Sequence, residues 1–164
     1  FTRLAAILRA RIGIVRGVSV SKVSGLQKHF DRLDPRQIQK AAKAGIWAGA
    51  NEIKVEAQLS ITRGSVSGAG HKPSAPGEPP NNDTGVLKNN IETISTGPLT
   101  AEVQSKAPYA VIHEYGGTIE DGFGKGVTIK LDERPYMRPA AKKMKPTVSA
   151  HIKNKLDNTL RRKG

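Results

Sequence analysis

The chain has 164 residues, with 27 Lys and Arg against 14 Asp and Glu, a formal net charge of +13 and no cysteine. A length of this order lets one domain bury roughly 70% of its unfolded surface, so folding needs no staple; the lack of Cys excludes disulfides and thiolate zinc sites and fits assembly in a reducing cytoplasm. Excess positive charge suits polyphosphate or acidic protein partners, but only 4% of residues are aromatic, too few to interleave with basic residues as in proteins that stack single-stranded bases.

Residues 2–12 read as a short amphipathic helix with Leu4, Ile7, Leu8 and Ile12 on one side and Arg3, Arg9 and Arg11 elsewhere. Such a segment is marginal alone and calls for a surface to dock on, in its own domain or on a neighbour. The stretch from Leu4 to Val15 is the most apolar, yet Arg9 and Arg11 interrupt it, so no transmembrane span, signal peptide or membrane partner is expected. Phe1 in place of Met points to a trimmed or processed chain. Residues 1–17 are read as an N-terminal extension and 18–164 as a single domain, with Val18, Val20 and Val23 suggesting a brief strand before Gly25.

The strongest periodicity lies over 35–60. Asp34 suits the cap and Pro35 the first helical position, and Ile38, Ala42, Ile46, Ala50, Ile53 and Ala57 recur at spacings of three or four. A second line, Ala41, Gly45 and Gly49, is made of small residues four apart, which opens the helix to close approach by another element. Trp47, beside this line, reads either as core or as an interface anchor.

From Thr62 to Asn82 the pattern gives way to Gly, Ser, Pro and Asn. A structureless stretch of that length is a functional arm or a mobile surface loop. Lys72, Pro73, Pro76, Glu78 and Pro79 are its candidate assembly contacts, ordered against a neighbour and mobile in the isolated subunit. Asp83 or Thr84 then caps a short turn through Val86, Leu87 and Ile91. Two hairpins follow, Ile91–Thr96 with Thr100–Ser105 around Gly97-Pro98, and Thr118–Glu120 with Val127–Leu131 around a glycine-rich tip at 121–126. That tip lacks the spacing and strand-loop-helix setting of a phosphate loop. Finally Met137, Ala141, Met144, Val148, Ile152, Leu156 and Leu160 mark a C-terminal helix lying on the sheet, with Pro146 expected to kink or divide it near Lys145.

No catalytic constellation emerges. The four histidines, His29, His71, His113 and His151, fall in separate elements, and adjacent His113 and Glu114 do not face each other in a helix or a strand. No serine sits in a nucleophile elbow, and no metal or cofactor site is nominated. The basic clusters at Lys142–Lys145 and Arg161–Lys163 read as a solvated helix face and tail.

Three blocks remain: Asp83-Thr84-Gly85-Val86-Leu87-Lys88; Ala107-Pro108-Tyr109-Ala110 running to Glu114-Tyr115-Gly116-Gly117; and Arg134-Pro135-Tyr136-Met137-Arg138-Pro139-Ala140. In this order, and with Gly25-Leu26 ahead of the long helix, they resemble the tail-completion and head-to-tail connector family of tailed phages, named for gene product ten of a lambda-like coliphage. The resemblance spans about 18–157. It implies an α+β fold in which a long N-terminal helix and a kinked C-terminal helix pack on a small, mostly antiparallel sheet. It also implies a structural virion protein at the phage neck or proximal tail, assembled in the host cytoplasm: a ring, six copies in a long-tailed phage, touching neighbouring neck or tail proteins around a DNA channel, with non-specific contact to that DNA. Trp47, Tyr109, Glu114, Tyr115, Arg134, Tyr136 and Arg138 are the candidate interface residues, with core roles open for the tyrosines. The alternative is a free basic protein that binds DNA through phosphates alone.

Overall fold

The computed structural model describes residues 34–122 and 126–161. The helix expected over 2–12, the strand at Val18–Val23, the Gly25-Leu26 pair and the centre of the 121–126 tip lie outside the described residues. Helix α1 spans Pro35–Thr62, capped by the Asp34 side chain, which accepts from Arg36 N at 2.9 Å. After a 3-10 turn at Gly68–Gly70 come helix α2 (Val86–Asn89), strands β1 (Ile91–Gly97) and β2 (Thr100–Ser105), helix α3 (Ala110–Tyr115), strands β3 (Gly117–Gly122) and β4 (Val127–Leu131), and helix α4 (Met137–Arg161).

The architecture is α+β, as expected, but the strands form two separate antiparallel hairpins, β1-β2 and β3-β4, and not one sheet. In the first, Ile91 pairs with Ser105 and Thr93 with Val103, and the hairpin packs on α1. In the second, Thr118 pairs with Lys130 and Ile119 with Ile129. Helix α4 runs unbroken through Pro146, so the expected division does not occur. Its main partner is α1 and not a sheet.

The small-residue line on α1 explains that partnership. Ala41, Gly45 and Gly49 are buried, and a Cβ on Gly45 would stand 2.6 Å from Ile152 Cα, and one on Gly49 2.8 Å from Val148 Cγ1. Only glycine lets the two backbones come this close. Ion pairs flank the seam, Lys143 to Glu56 at 2.7 Å and His151 to Glu52 at 3.6 Å. On α4 the residue most deeply covered is Ala140; Ala141, assigned to the apolar line by spacing, is exposed.

The core sits at the other end of α1. Ala57 and Ile61 meet Leu87, Ile91, Ala107, Ala110, Tyr136 and Ala140, with Ile53, Val103 and Met137 packed around them. Each of the three sequence blocks therefore sends an apolar residue into one cluster. Asp83 does not cap α2; Gly85 stands at that N-cap without a side-chain bond, while the Asp83 carboxylate accepts Gly68 N at 2.9 Å from the preceding loop.

Candidate functional site

The second and third blocks meet in space. Ala107 and Ala110 are buried, and the Ala107 carbonyl accepts Ala110 N at 3.0 Å, which starts α3. The helix stops at Gly116, whose φ of 69° favours glycine. A Cβ there would also lie 2.9 Å from both Leu131 O and Glu133 N. This tight exit brings α3 against the β4–α4 connection, where Arg134 N donates to His113 O at 2.6 Å.

At that contact Glu114, 5% exposed, points at the start of α4. Its Oε2 accepts Tyr136 N and Met137 N, both at 2.9 Å, and its Oε1 accepts Arg138 N at 2.9 Å. The opening N–H groups of a helix have no partner within it. Here a carboxylate from a distant element satisfies three of these N-terminal donors and places negative charge at the positive end of the helix dipole. Arg138 closes the junction: its Nε donates to Glu114 Oε1 at 3.0 Å, one NH2 group donates to Glu114 O at 2.6 Å and to Glu133 Oε2 at 2.7 Å, and its guanidinium lies 4.8 Å from the Tyr115 ring centre. Hydrogen bonds to Glu133 and then Glu114 hold its pKa above the ordinary value.

Tyr136 is 1% exposed. Burial pushes its phenol pKa up, and a hydrogen bond with the Ser105 side chain tempers the shift. For Tyr136 and Glu114 the interface expectation gives way, because both are spent inside the subunit. Arg134 is also engaged internally, its Nε donating to Ser74 O at 3.1 Å. Tyr109 and Tyr115 remain exposed, Tyr115 by 63%.

The stretch 62–82 is laced to this junction. Gly77 N donates to Glu133 O at 2.8 Å, Asn81 Nδ2 to Lys72 O at 2.8 Å, and Asn82 N to Ile61 O at 2.9 Å. The proline and glycine content that reads as structureless is here turn-forming. Lys72, Pro73, Pro76 and Glu78 are exposed, Pro79 is half-buried and Pro80 is buried.

His113 lies beneath the loop. It lines two adjoining clefts of about 320 and 280 Å³, both shared with His71 and Pro80, and packs edge-on against the Tyr109 ring at 5.5 Å. Burial first, and the Arg134 charge second, depress its pKa below 6.5. A base whose folded pKa is depressed binds fewer protons folded than unfolded, so stability falls as pH drops through about 6.5 toward the folded value. Melting temperature measured from pH 7.5 to 5 is expected to fall more in the parent than in His113→Gln; equal slopes would show that His113 does not carry the effect.

Trp47 stands apart from these residues. It is 42% exposed, which overturns its reading as core, and it lies in an open, largely apolar groove of about 280 Å³ between α1 and the β1-β2 hairpin, with Lys40 and Lys43 at the rim. Core packing stops short of it because the buried cluster begins lower on α1, at Ile53 and Ala57. The residues that sequence reasoning missed are Glu133, which shares Arg138, and the Lys40-Lys43 rim; no local pattern marks either. Among the described residues no group of three or more metal-ligating side chains comes together, and no helix is long and apolar enough to cross a membrane.

The model of one protein family, described as "Bacteriophage HK97-gp10, putative tail-component", matches residues 24–116, more than half of the chain. The match includes the first two sequence blocks and ends at Gly116, so the third block and α4, within the 18–157 span of the resemblance, lie beyond it. Comparisons with curated proteins and with solved structures give no match.

Proposed function

Because the chain belongs to the HK97-gp10-like family of bacteriophage tail components, we propose that it is a structural protein that closes a ring of six copies at the head-tail junction or the proximal tail end. The observation that carries this reading is the family match over 24–116. The geometry supports it in a second way. The distinctive residues of the second and third blocks are used to fasten α3, the 62–82 loop and α4 into one junction, which leaves Trp47, Tyr109 and Tyr115 as exposed aromatic anchors for contact between subunits. The ring is completed when head-to-tail contacts between identical copies close by rotation.

Charge has a place in this arrangement. Lys142, Lys145 and Lys153 are exposed on α4, and none has an ion pair among the described residues. In a ring they face the DNA path or acidic neighbours, and a DNA contact of this kind is non-specific because it is made to phosphates. The test is electron microscopy of particles assembled without this gene product. Full heads and finished tails that fail to join are the expected result; normal, infectious particles would overturn the reading.

A further inference from the structure

The β3-β4 hairpin is the least supported element of the fold. Its substantial contacts are between its own two strands, and a lone two-stranded hairpin is marginal in water. Yet it carries an apolar face. On β4, Val127, Ile129 and Leu131 alternate with Thr128 and Lys130, and Ile129 lies opposite Ile119. Val127 is 53% exposed and Ile119 is exposed as well. Glu120, next to Ile119, is an exposed acid.

The Trp47 groove has the complementary character. It is apolar along Ala44, Ile46 and Trp47 and positive at Lys40 and Lys43. A second copy of this chain therefore brings to the groove both an apolar strip and a negative charge, whereas the basic segment at residues 3–11 would bring more positive charge to a positive rim. Five or six residues of extended strand reach roughly 17–20 Å, enough to cross from one subunit into the next. The two surfaces belong to different elements, so the contact is heterologous and repeats around a ring.

We infer that the β3-β4 hairpin of each subunit docks in the Trp47 groove of its neighbour, with Ile119 and Val127 against Trp47 and Glu120 against Lys40 and Lys43. This rests on the ring reading and specifies which surfaces form it. The chain has no native cysteine, so introduced ones report unambiguously. Lys43→Cys and Glu120→Cys, alone and combined, are built into particles and treated with a short bis-maleimide, and the products are sized on a denaturing gel. The double variant is expected to give a ladder of covalent multimers, a mixture of the two single variants is expected to give dimers, and each single variant alone should give monomer. Cross-linking confined to one subunit, or of Lys43→Cys to a different particle protein, overturns the docking. Absence of cross-links in particles whose images show this protein as a closed ring overturns the docking while the ring stands. Particles whose images show no ring of it overturn both.

Discussion

Replacing Glu114 with alanine is expected to cost about 3 kcal/mol of folding stability. Removal of an ordinary helix cap costs about 1 kcal/mol, but Glu114 is buried and serves three backbone donors at 2.9 Å, and each donor left unpaired away from water adds roughly 1–3 kcal/mol. Tyr136 N is the most exposed to this penalty, since it lies in the core. The Arg138 ion pair contributes less, because its side chain is 48% exposed and solvent screens it. For a domain of this size the loss translates into a melting point lower by on the order of 10 °C. Glu114→Gln should fall between, keeping one carbonyl oxygen to accept while its amide faces donors. Thermal unfolding followed by circular dichroism reads all three proteins, and an alanine variant within about 0.5 kcal/mol of the parent, the range of ordinary surface changes, would show that the cap does not hold the junction.

The second large effect runs against helix propensity. Ala is favoured over Gly in a helix by about 1 kcal/mol, so Gly45→Ala on propensity alone would stabilise α1. Instead the new methyl would meet the Ile152 backbone, with Ile152 Cα at 2.6 Å, Ile152 N at 3.1 Å and His151 O at 3.2 Å. No rotamer relieves a clash with main chain, so the helices must separate, loosening the packing along the seam. Overpacking of this kind costs roughly 1–3 kcal/mol, and a net loss of about 2 kcal/mol is expected after the propensity gain. Gly49→Ala should cost less, because its nearest neighbour is the Val148 Cγ1 methyl, which can shift. Urea unfolding of the two variants gives the order; a Gly45→Ala protein as stable as the parent would mean that α1 and α4 do not meet so closely.

Local chemistry wrote much of this fold into the chain. Asp34-Pro35 and the three-and-four spacing after them determine α1, because cap and periodicity act within a few residues. Both hairpins follow likewise from strand-like runs broken at Gly97-Pro98 and in the glycine-rich tip. The Ala41, Gly45 and Gly49 line announced a close approach without naming what approaches. Three blocks in order carried the family, and more than half of the chain matches it.

What only the tertiary structure decided are the pairings between distant residues. Glu114 caps α4 from 22 residues away in the chain, and its neighbours in sequence give no sign of the target. Spacing placed Ala141 on the apolar line, but the direction from which α1 and the core cover α4 buries Ala140. Trp47 is apolar enough for a core and lies outside one, because burial depends on which element arrives above a face and periodicity reports only that a face exists. Sequence fixes the faces through interactions a few residues long; the partner of each face is set by packing across the whole chain, where shape and unpaired backbone groups select among surfaces that look alike one residue at a time.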